Sequence, residues 1–112
     1  MVEVIGTEEF EAWFAALSKK DADAVIVAVD ILAERGVALG FPQSSDIKGS
    51  RFAMRELRVQ SQGHPLRIFY AFDPLRQAVL LLGADKTGQK RFYEKKIREA
   101  EAIWLDYLKG IT

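Results

Sequence analysis

Apolar residues in the first third of the chain recur with the spacing of amphipathic helices. After a short β-prone run at Val2–Ile5, Thr7 is placed to cap a first helix. One face of that helix is predicted to carry four apolar residues: Phe10, Trp13, Phe14 and Leu17. A second helix is predicted from Asp21 to Arg35 with Gly36 as its stop, so the two helices form a hairpin.

Farther along the chain the apolar period shortens to two, which is typical of strands. Three strands are predicted at Phe52–Gln60, Leu66–Phe72 and Ala78–Leu82, and the last is continuously apolar, as a strand covered on both faces should be. The segment 40–46 is rich in turn formers and is predicted as a loop. A final helix is predicted from Arg91 to Leu108, with an apolar stripe of Tyr93, Ile97, Ala100, Trp104 and Leu108.

The predicted element order β-α-α-β-β-β-α defines an α+β fold. It has an N-terminal strand, a helical hairpin, a mainly antiparallel four-stranded sheet and a C-terminal helix. A length of 112 residues corresponds to one domain, which we expect to span 1–112. Apolar residues make up 49% and charged residues 29%, a balance that indicates a folded chain rather than a disordered one.

The composition excludes several kinds of chemistry. Without cysteine, a disulfide scaffold, a thiolate metal site and a cysteine nucleophile are ruled out. The single histidine, His64, is predicted in an exposed turn, and one histidine argues against a histidine-rich metal site or a Ser-His-Asp hydrolase. No apolar stretch is long enough to span a membrane, and the acidic start does not resemble a signal peptide. We therefore expect a soluble intracellular protein, located in the cytoplasm.

The charge is balanced in total but segregated along the sequence. Residues 1–47 hold nine acidic and three basic residues, whereas residues 48–98 hold twelve basic and four acidic ones. The net charges of these two segments are therefore −6 and +8, and the last fourteen residues carry −2. A basic segment of this kind could attract a polyanion, although exposed faces of any protein also carry charge.

The candidate chemistry lies in this basic segment. Arg58 and Arg67 are on adjacent predicted strands, and further cations follow the third strand, close to Tyr93. Cations next to a phenol suit phosphodiester chemistry, because cations stabilise charge on the phosphate and a tyrosine or lysine positions or deprotonates a 2′-hydroxyl. A purely structural alternative stays open. In that alternative both arginines pair with Glu56 or Asp73, and Tyr93 only packs within the helix stripe.

Three segments, taken in their order and spacing, resemble a known family. They are E-L-R at 56–58, R-I-F-Y-A-F at 67–72 and L-L-G-x-D-K-T-G at 81–88. Together with the acidic start and the helical hairpin, they resemble the phage-derived, HigB-like branch of the RelE/ParE toxin superfamily over nearly the whole chain. The resemblance implies a RelE-like fold and a toxin of a type II toxin–antitoxin system.

Such toxins enter the ribosomal A site and cut mRNA by 2′-hydroxyl attack without a metal or other cofactor, leaving a cyclic phosphate. The implied partners are the ribosome, mRNA and a helix-turn-helix antitoxin encoded next to the toxin. The resemblance implies catalytic roles for Arg67 at the scissile phosphate, for Arg58 and Tyr93, and for Lys86 in the loop after the last strand. RNA binding is expected of further cations of the basic segment: Lys48, Arg55, Lys90 and Arg91.

This chain departs from the family pattern at three positions. Met54 and Glu56 stand where the RelE subgroup carries two lysines, one of which is a candidate general base, and Phe52 stands where close relatives often have histidine. The sequence therefore leaves the general base unassigned. Two alternatives to the nuclease stay open: a ParE-like inhibitor of DNA gyrase, and an inactive toxin retained for antitoxin binding and operon regulation.

Overall fold

The computed structural model describes residues 1–111. Eight main elements follow one another along the chain, with a single 3-10 turn at Gly36–Ala38 between the second helix and the second strand. They are β1 (Val4–Gly6), α1 (Glu8–Ala15), α2 (Lys19–Arg35), β2 (Ser44–Asp46), β3 (Met54–Ser61), β4 (His64–Phe72), β5 (Ala78–Asp85) and α3 (Phe92–Ile111). The predicted α+β class and the predicted helices are confirmed.

The five strands form one sheet in the order β1-β5-β4-β3-β2. β1 pairs with β5 in parallel, and the other neighbours are antiparallel, so the sheet is mixed but mainly antiparallel. The prediction of four strands was wrong, because Ser44–Asp46, within the predicted loop, forms β2 against Arg55–Leu57. Ser44 is fully buried and shares a hydrogen bond of 2.5 Å with the Tyr70 hydroxyl, which holds this polar edge strand in place.

The β3–β4 hairpin is tighter than predicted. Its turn consists of Gln62 and Gly63, both with positive φ, the backbone conformation of a two-residue hairpin loop. His64 therefore begins β4 rather than lying in the turn, and its Nδ1 lies 2.9 Å from Asp85 Oδ2 on β5. Pro65 faces Gln60 at a position of the ladder that needs no N–H donor.

The alternation of side chains along the central strands separates two apolar cores. One face of the sheet packs against α1 and α2 and includes Leu57, Ile68 and Leu80. The other face packs against α3 and includes the following residues: Met54, Phe69, Val79, Leu81, Phe92 and Trp104. β5 is covered on both faces, which explains its continuous apolar run.

The ends of the helices follow the sequence signals. Thr7 caps α1 by accepting a hydrogen bond from the Phe10 N–H at 3.2 Å, as predicted. Its hydroxyl also lies 2.8 Å from the Leu81 carbonyl oxygen, which joins the start of α1 to β5. Ser18 caps α2, and Gly36 ends it with a φ of 57°, a conformation that favours glycine.

Asp73 anchors the second half of α3 to the β4–β5 turn. Its buried carboxylate accepts hydrogen bonds from the Tyr107 hydroxyl at 2.7 Å, from the Gln77 amide, and from the backbone N–H groups of Leu75 and Gln77. Burial and the bond to Asp73 raise the pKa of Tyr107 to about 12. Within residues 1–111, no helix is long and apolar enough to cross a membrane.

A close approach between α1 and β5 gives a test of this packing. A methyl group added at Gly83 would lie 2.2 Å from Cε3 of the Trp13 indole, a rigid group that cannot easily move aside. We expect Gly83→Ala to lower the free energy of unfolding by about 1–3 kcal/mol in urea denaturation. Gly40→Ala, where the added methyl meets no atom within 4 Å, is the matched control, and an equal loss in both variants would contradict the packing.

Candidate functional site

Arg58 and Arg67 stand directly opposite each other on β3 and β4. By the alternation of the strands, both side chains leave the sheet on the face that carries α3. Like charges placed directly opposite each other across a strand pair are destabilising. This arrangement therefore does not serve stability and marks the position as a candidate anion site.

The Arg67 guanidinium is unusually buried for a cation. Its side chain is 9% exposed, and Nη1 donates a hydrogen bond to the Leu66 carbonyl at 3.0 Å. Nε has no hydrogen-bond partner, although Glu56 Oε1 lies 3.6 Å away within ion-pair range. A buried N–H donor without a partner is costly, so this Nε leaves Arg67 with an unmet donor beside the Glu56 carboxylate.

Glu56 is the carboxylate at the centre of the site. It is buried, and its Oε1 accepts a hydrogen bond of 2.6 Å from the Tyr93 hydroxyl. Its Oε2 accepts a hydrogen bond of 2.8 Å from the Ser45 hydroxyl on the edge strand β2. Arg67 thus makes the ion pair with Glu56 that the structural alternative named, whereas the Asp73 carboxylate accepts a hydrogen bond from Tyr107.

Sequence reasoning treated Glu56 only as an ion-pair partner and as a departure from the RelE pattern. Its position between Met54 and Arg58 on the α3-facing side of β3 was the one feature of the sequence that could have indicated a buried carboxylate. An acidic residue on the covered face of a strand is seldom buried unless it has partners. The two partners Ser45 and Tyr93 come from distant parts of the chain, so they could not be identified from local sequence.

Tyr93 lies in the first turn of α3, where the helix meets the sheet. Its ring stacks on Phe69 with centroids 6.1 Å apart, so the residue packs in the apolar stripe as predicted. Its hydroxyl nevertheless points to Glu56, and the Lys86 Nζ lies 5.0 Å from its ring centroid. Burial raises the pKa of Tyr93, as do the hydrogen bond and the charge of Glu56, while Arg67 acts in the opposite direction.

A small cleft opens beside the two arginines. It has a volume of about 190 Å³ and is lined by Pro42, Arg58, Val59, Gln60 and Arg67. The exposed ring of Phe41 lies 5.3 Å from the Arg58 guanidinium carbon, a contact that helps to position this arginine. An exposed aromatic ring therefore lies next to a cleft with two cations, a combination that suits an RNA phosphate and its base.

The structure groups the predicted catalytic residues more closely than the predicted RNA-binding residues. The strand register sets Arg58 opposite Arg67. Glu56 contacts both Arg67 and Tyr93, and a cation–π contact links Lys86 to the Tyr93 ring. Three predicted RNA-binding residues are exposed in the connections that flank these elements: Lys48, Lys90 and Arg91.

Arg55 is the exception among the predicted RNA-binding residues. It lies on the face opposite the arginine pair, beside Leu57. Its guanidinium bonds to Asp46, to the Ser44 hydroxyl at 3.0 Å and to the Leu39 carbonyl at 3.3 Å. These contacts fasten β2 and the preceding loop to β3, so the structure does not bring Arg55 to the candidate site.

Comparison with known proteins places this α+β chain in a family. Residues 12–104 match the family described as Phage derived protein Gp49-like (DUF891). The chain is 38% identical over 104 residues to "Putative toxin HigB2" of Mycobacterium tuberculosis, covering 90% of this chain and 52% of that protein. It is 43% identical over 100 residues to "Putative toxin HigB3" of the same organism, covering 88% and 86%.

The chain therefore spans about half the length of HigB2 and most of HigB3. Because the family match covers most of the sequence, the chain belongs to the Gp49-like phage-derived family. The resemblance to the HigB-like branch of the RelE/ParE superfamily, inferred from the three sequence segments, is confirmed.

The Glu56–Tyr93 contact can be tested by titration of the tyrosines. We expect Tyr93 to titrate above the ordinary value of about 10 in the native protein, and Glu56→Gln to lower its pKa because the negative charge is removed. NMR of tyrosines labelled with ¹³C at Cζ measures this directly. Tyr107, whose pKa is raised to about 12 by a separate carboxylate, is the internal control and should not change. An unchanged Tyr93 pKa in Glu56→Gln would contradict the contact.

Proposed function

We propose that this protein is the toxin of a type II toxin–antitoxin system and acts as an endoribonuclease on mRNA in the ribosomal A site. Membership of the Gp49-like family and similarity to proteins named as HigB toxins support the toxin role. The partners we propose are the translating ribosome, mRNA and a helix-turn-helix antitoxin encoded beside the gene. The proposed location is the cytoplasm, where these partners are found.

The observation that carries the nuclease proposal is the opposed pair Arg58–Arg67 beside the Tyr93–Glu56 hydrogen bond. Two cations held together at a cost to stability suit a ligand that brings its own negative charge. A phosphodiester satisfies this requirement, and its charge increases as it becomes a pentacoordinate transition state. Arg67, which lines the cleft, is proposed to donate from its guanidinium to a non-bridging oxygen of that phosphate.

In the proposed reaction, Glu56 is the general base that the RelE-type lysines do not supply here. A tyrosine is protonated near neutral pH, and the upward shift in the pKa of Tyr93 makes its phenolate still less accessible. Tyr93 is therefore proposed to donate a hydrogen bond and orient groups rather than to act as a phenolate base. Glu56 accepts the proton of the 2′-hydroxyl while the 2′-oxygen attacks phosphorus. The bond from phosphorus to the 5′-oxygen breaks, leaving a 2′,3′-cyclic phosphate.

The remaining cations complete the proton and charge balance. Lys86, whose ammonium lies 5.0 Å from the Tyr93 ring centroid, is proposed to give a proton to the departing 5′-oxygen. Arg58 is proposed to hold the phosphate chain in the cleft, where Phe41 offers a surface for a base. Lys48, Lys90 and Arg91 are proposed to bind the RNA backbone outside the reacting bond.

The proposal is tested in a reconstituted bacterial translation reaction with the purified protein, followed by primer extension on the mRNA. We expect cleavage at defined codons only while ribosomes translate. Intact mRNA with a folded protein would contradict the nuclease proposal. A gyrase supercoiling assay on the same sample would then distinguish a ParE-like inhibitor from a protein without either activity.

Single substitutions test the assigned roles in the same reaction. Arg67→Ala should reduce the cleavage rate about 10²- to 10³-fold, because it removes a donor to the developing charge. Glu56→Gln, which preserves shape, should reduce it about 10²- to 10⁴-fold through loss of the base. Arg35→Ala, the same change of charge at the exposed end of α2, is the control and should retain activity.

Thermal or urea unfolding of each variant separates lost chemistry from lost structure. A folded Arg67→Ala protein that cleaves at the rate of Arg35→Ala would show that the site assignment is wrong. Full activity of Glu56→Gln would show that another group is the base.

A further inference from the structure

The connection between β5 and α3 carries the lysine that the proposed reaction uses as its acid. Lys86 follows the last residue of β5, and its Nζ lies 5.0 Å from the centroid of the Tyr93 ring. A lysine side chain is a compact charge on a flexible four-carbon stem. The position of the ammonium over Tyr93 therefore depends on how firmly the backbone at Lys86 is held.

Asp85 closes the turn that begins at Lys86. Its Oδ1 accepts a hydrogen bond of 2.8 Å from the Thr87 N–H, two residues ahead, which is the bond of an Asx turn. Its carbonyl oxygen accepts a bond of 2.9 Å from the Gln89 side-chain amide. Gly88 completes the turn with a φ of 65°, a conformation that favours glycine. The side chain and the backbone of Asp85 thus both fasten the residues that follow Lys86.

Two contacts join this turn to β4. The Lys86 N–H donates to the Pro65 carbonyl at 2.9 Å, and Asp85 Oδ2 lies 2.9 Å from His64 Nδ1. Hydrogen bonding from Thr87 lowers the pKa of Asp85, as does His64, although burial acts in the opposite direction. Asp85 is therefore a carboxylate near neutral pH and can accept hydrogen bonds through both oxygens.

Asp85 and Lys86 lie on opposite faces of the sheet. Ala84 packs on the α3 side, so strand alternation turns the next residue, Asp85, toward the α2 side and Lys86 back toward α3. Asp85 can therefore set the position of Lys86 through the backbone, while the ammonium stays on the side of Tyr93.

The geometry points to Asp85 as a positioning residue for the proposed reaction: its turn holds Lys86 over the Tyr93 ring, where the ammonium can protonate the departing oxygen. This role rests on the proposed nuclease function. As the bond from phosphorus to the 5′-oxygen breaks, Lys86 gives one proton to that oxygen and becomes a neutral amine, while Glu56 holds the proton taken from the 2′-hydroxyl. The rest of the D-K-T-G segment at 85–88 then serves to hold its lysine.

The placement of Lys86 is tested without RNA by NMR of the protein labelled with ¹³C at the lysine ε-carbon. The Tyr93 ring current should shift the Lys86 Hε protons upfield, and Lys86→Met identifies that signal by removing it. Asp85→Ala should move the signal back toward that of an exposed lysine, because the Thr87 N–H loses its acceptor. Asp85→Asn should preserve the signal, since an amide oxygen can still accept that bond.

Asp23→Ala is the matched control for the alanine variant. Asp23 is an exposed carboxylate on α2 that pairs with Lys19 at 3.0 Å, so its loss should leave the Lys86 signal unchanged. Urea unfolding checks that every variant is folded. An unchanged Lys86 signal in Asp85→Ala, or an equal change in both alanine variants, would overturn the proposal.

The catalytic consequence is tested in the translation reaction with an mRNA in which sulfur replaces the 5′-oxygen at the cleavage site. A thiolate leaves without being protonated, so this substrate no longer needs an acid. On ordinary mRNA, Asp85→Ala and Lys86→Met should both slow cleavage about 10- to 100-fold. On the sulfur substrate both should cleave at nearly the wild-type rate, whereas Arg67→Ala should stay slow, because the charge on the phosphate still needs a donor.

A double variant completes the test. Asp85→Ala combined with Lys86→Met should be no slower than Lys86→Met alone, because Asp85 acts through the lysine. Full activity of Asp85→Ala on ordinary mRNA, equal slowing on both substrates, or additive losses in the double variant would each overturn the positioning role.

Failure of the proposed function would look different, because the wild-type protein would then leave ordinary mRNA intact. The catalytic consequence would fall with it, and the NMR comparison would still decide whether Asp85 holds Lys86 at Tyr93.

Discussion

The register between β3 and β4 is the constraint on which the rest of the site depends. It sets Arg58 opposite Arg67 on one face of the sheet and puts Glu56 opposite Phe69. A slip of one residue would turn each of these side chains to the other face. The register is fixed by the tight Gln62–Gly63 turn and by the two apolar cores, so packing that serves stability also maintains an unfavourable pair of charges.

The start of α3 adds a phenol, that of Tyr93, to this pair of charges. Tyr93 is fixed by stacking on Phe69, and its hydroxyl is thereby directed at Glu56. The opposite end of the helix is fastened through Tyr107 and Asp73, which limits its movement over the sheet. Packing and hydrogen bonding therefore act on the same residue, so Tyr93 belongs both to the apolar stripe of α3 and to the candidate site.

The elements that bury a periodic apolar face were predictable from the sequence, and the polar features were not. Helices α1 to α3 and the central strands follow spacings that depend only on neighbouring residues. The edge strand β2 has no such pattern, because Ser44 is held by a bond to Tyr70 that crosses 26 positions of the chain. The faces of the arginines, by contrast, follow from strand alternation alone, which puts Arg55 on the face opposite Arg58 and Arg67.

Segregated charge explains how a chain of zero net charge can present a polyanion site. The acidic residues lie mostly in the first 47 residues, and the opposed arginines lie in the basic segment. Analysis of the new ends of cleaved mRNA tests most directly whether the proposed site cuts RNA by internal 2′-hydroxyl attack. A 2′,3′-cyclic phosphate paired with a 5′-hydroxyl is the predicted result. A 3′-hydroxyl paired with a 5′-phosphate would show that water attacks from outside and would contradict the account.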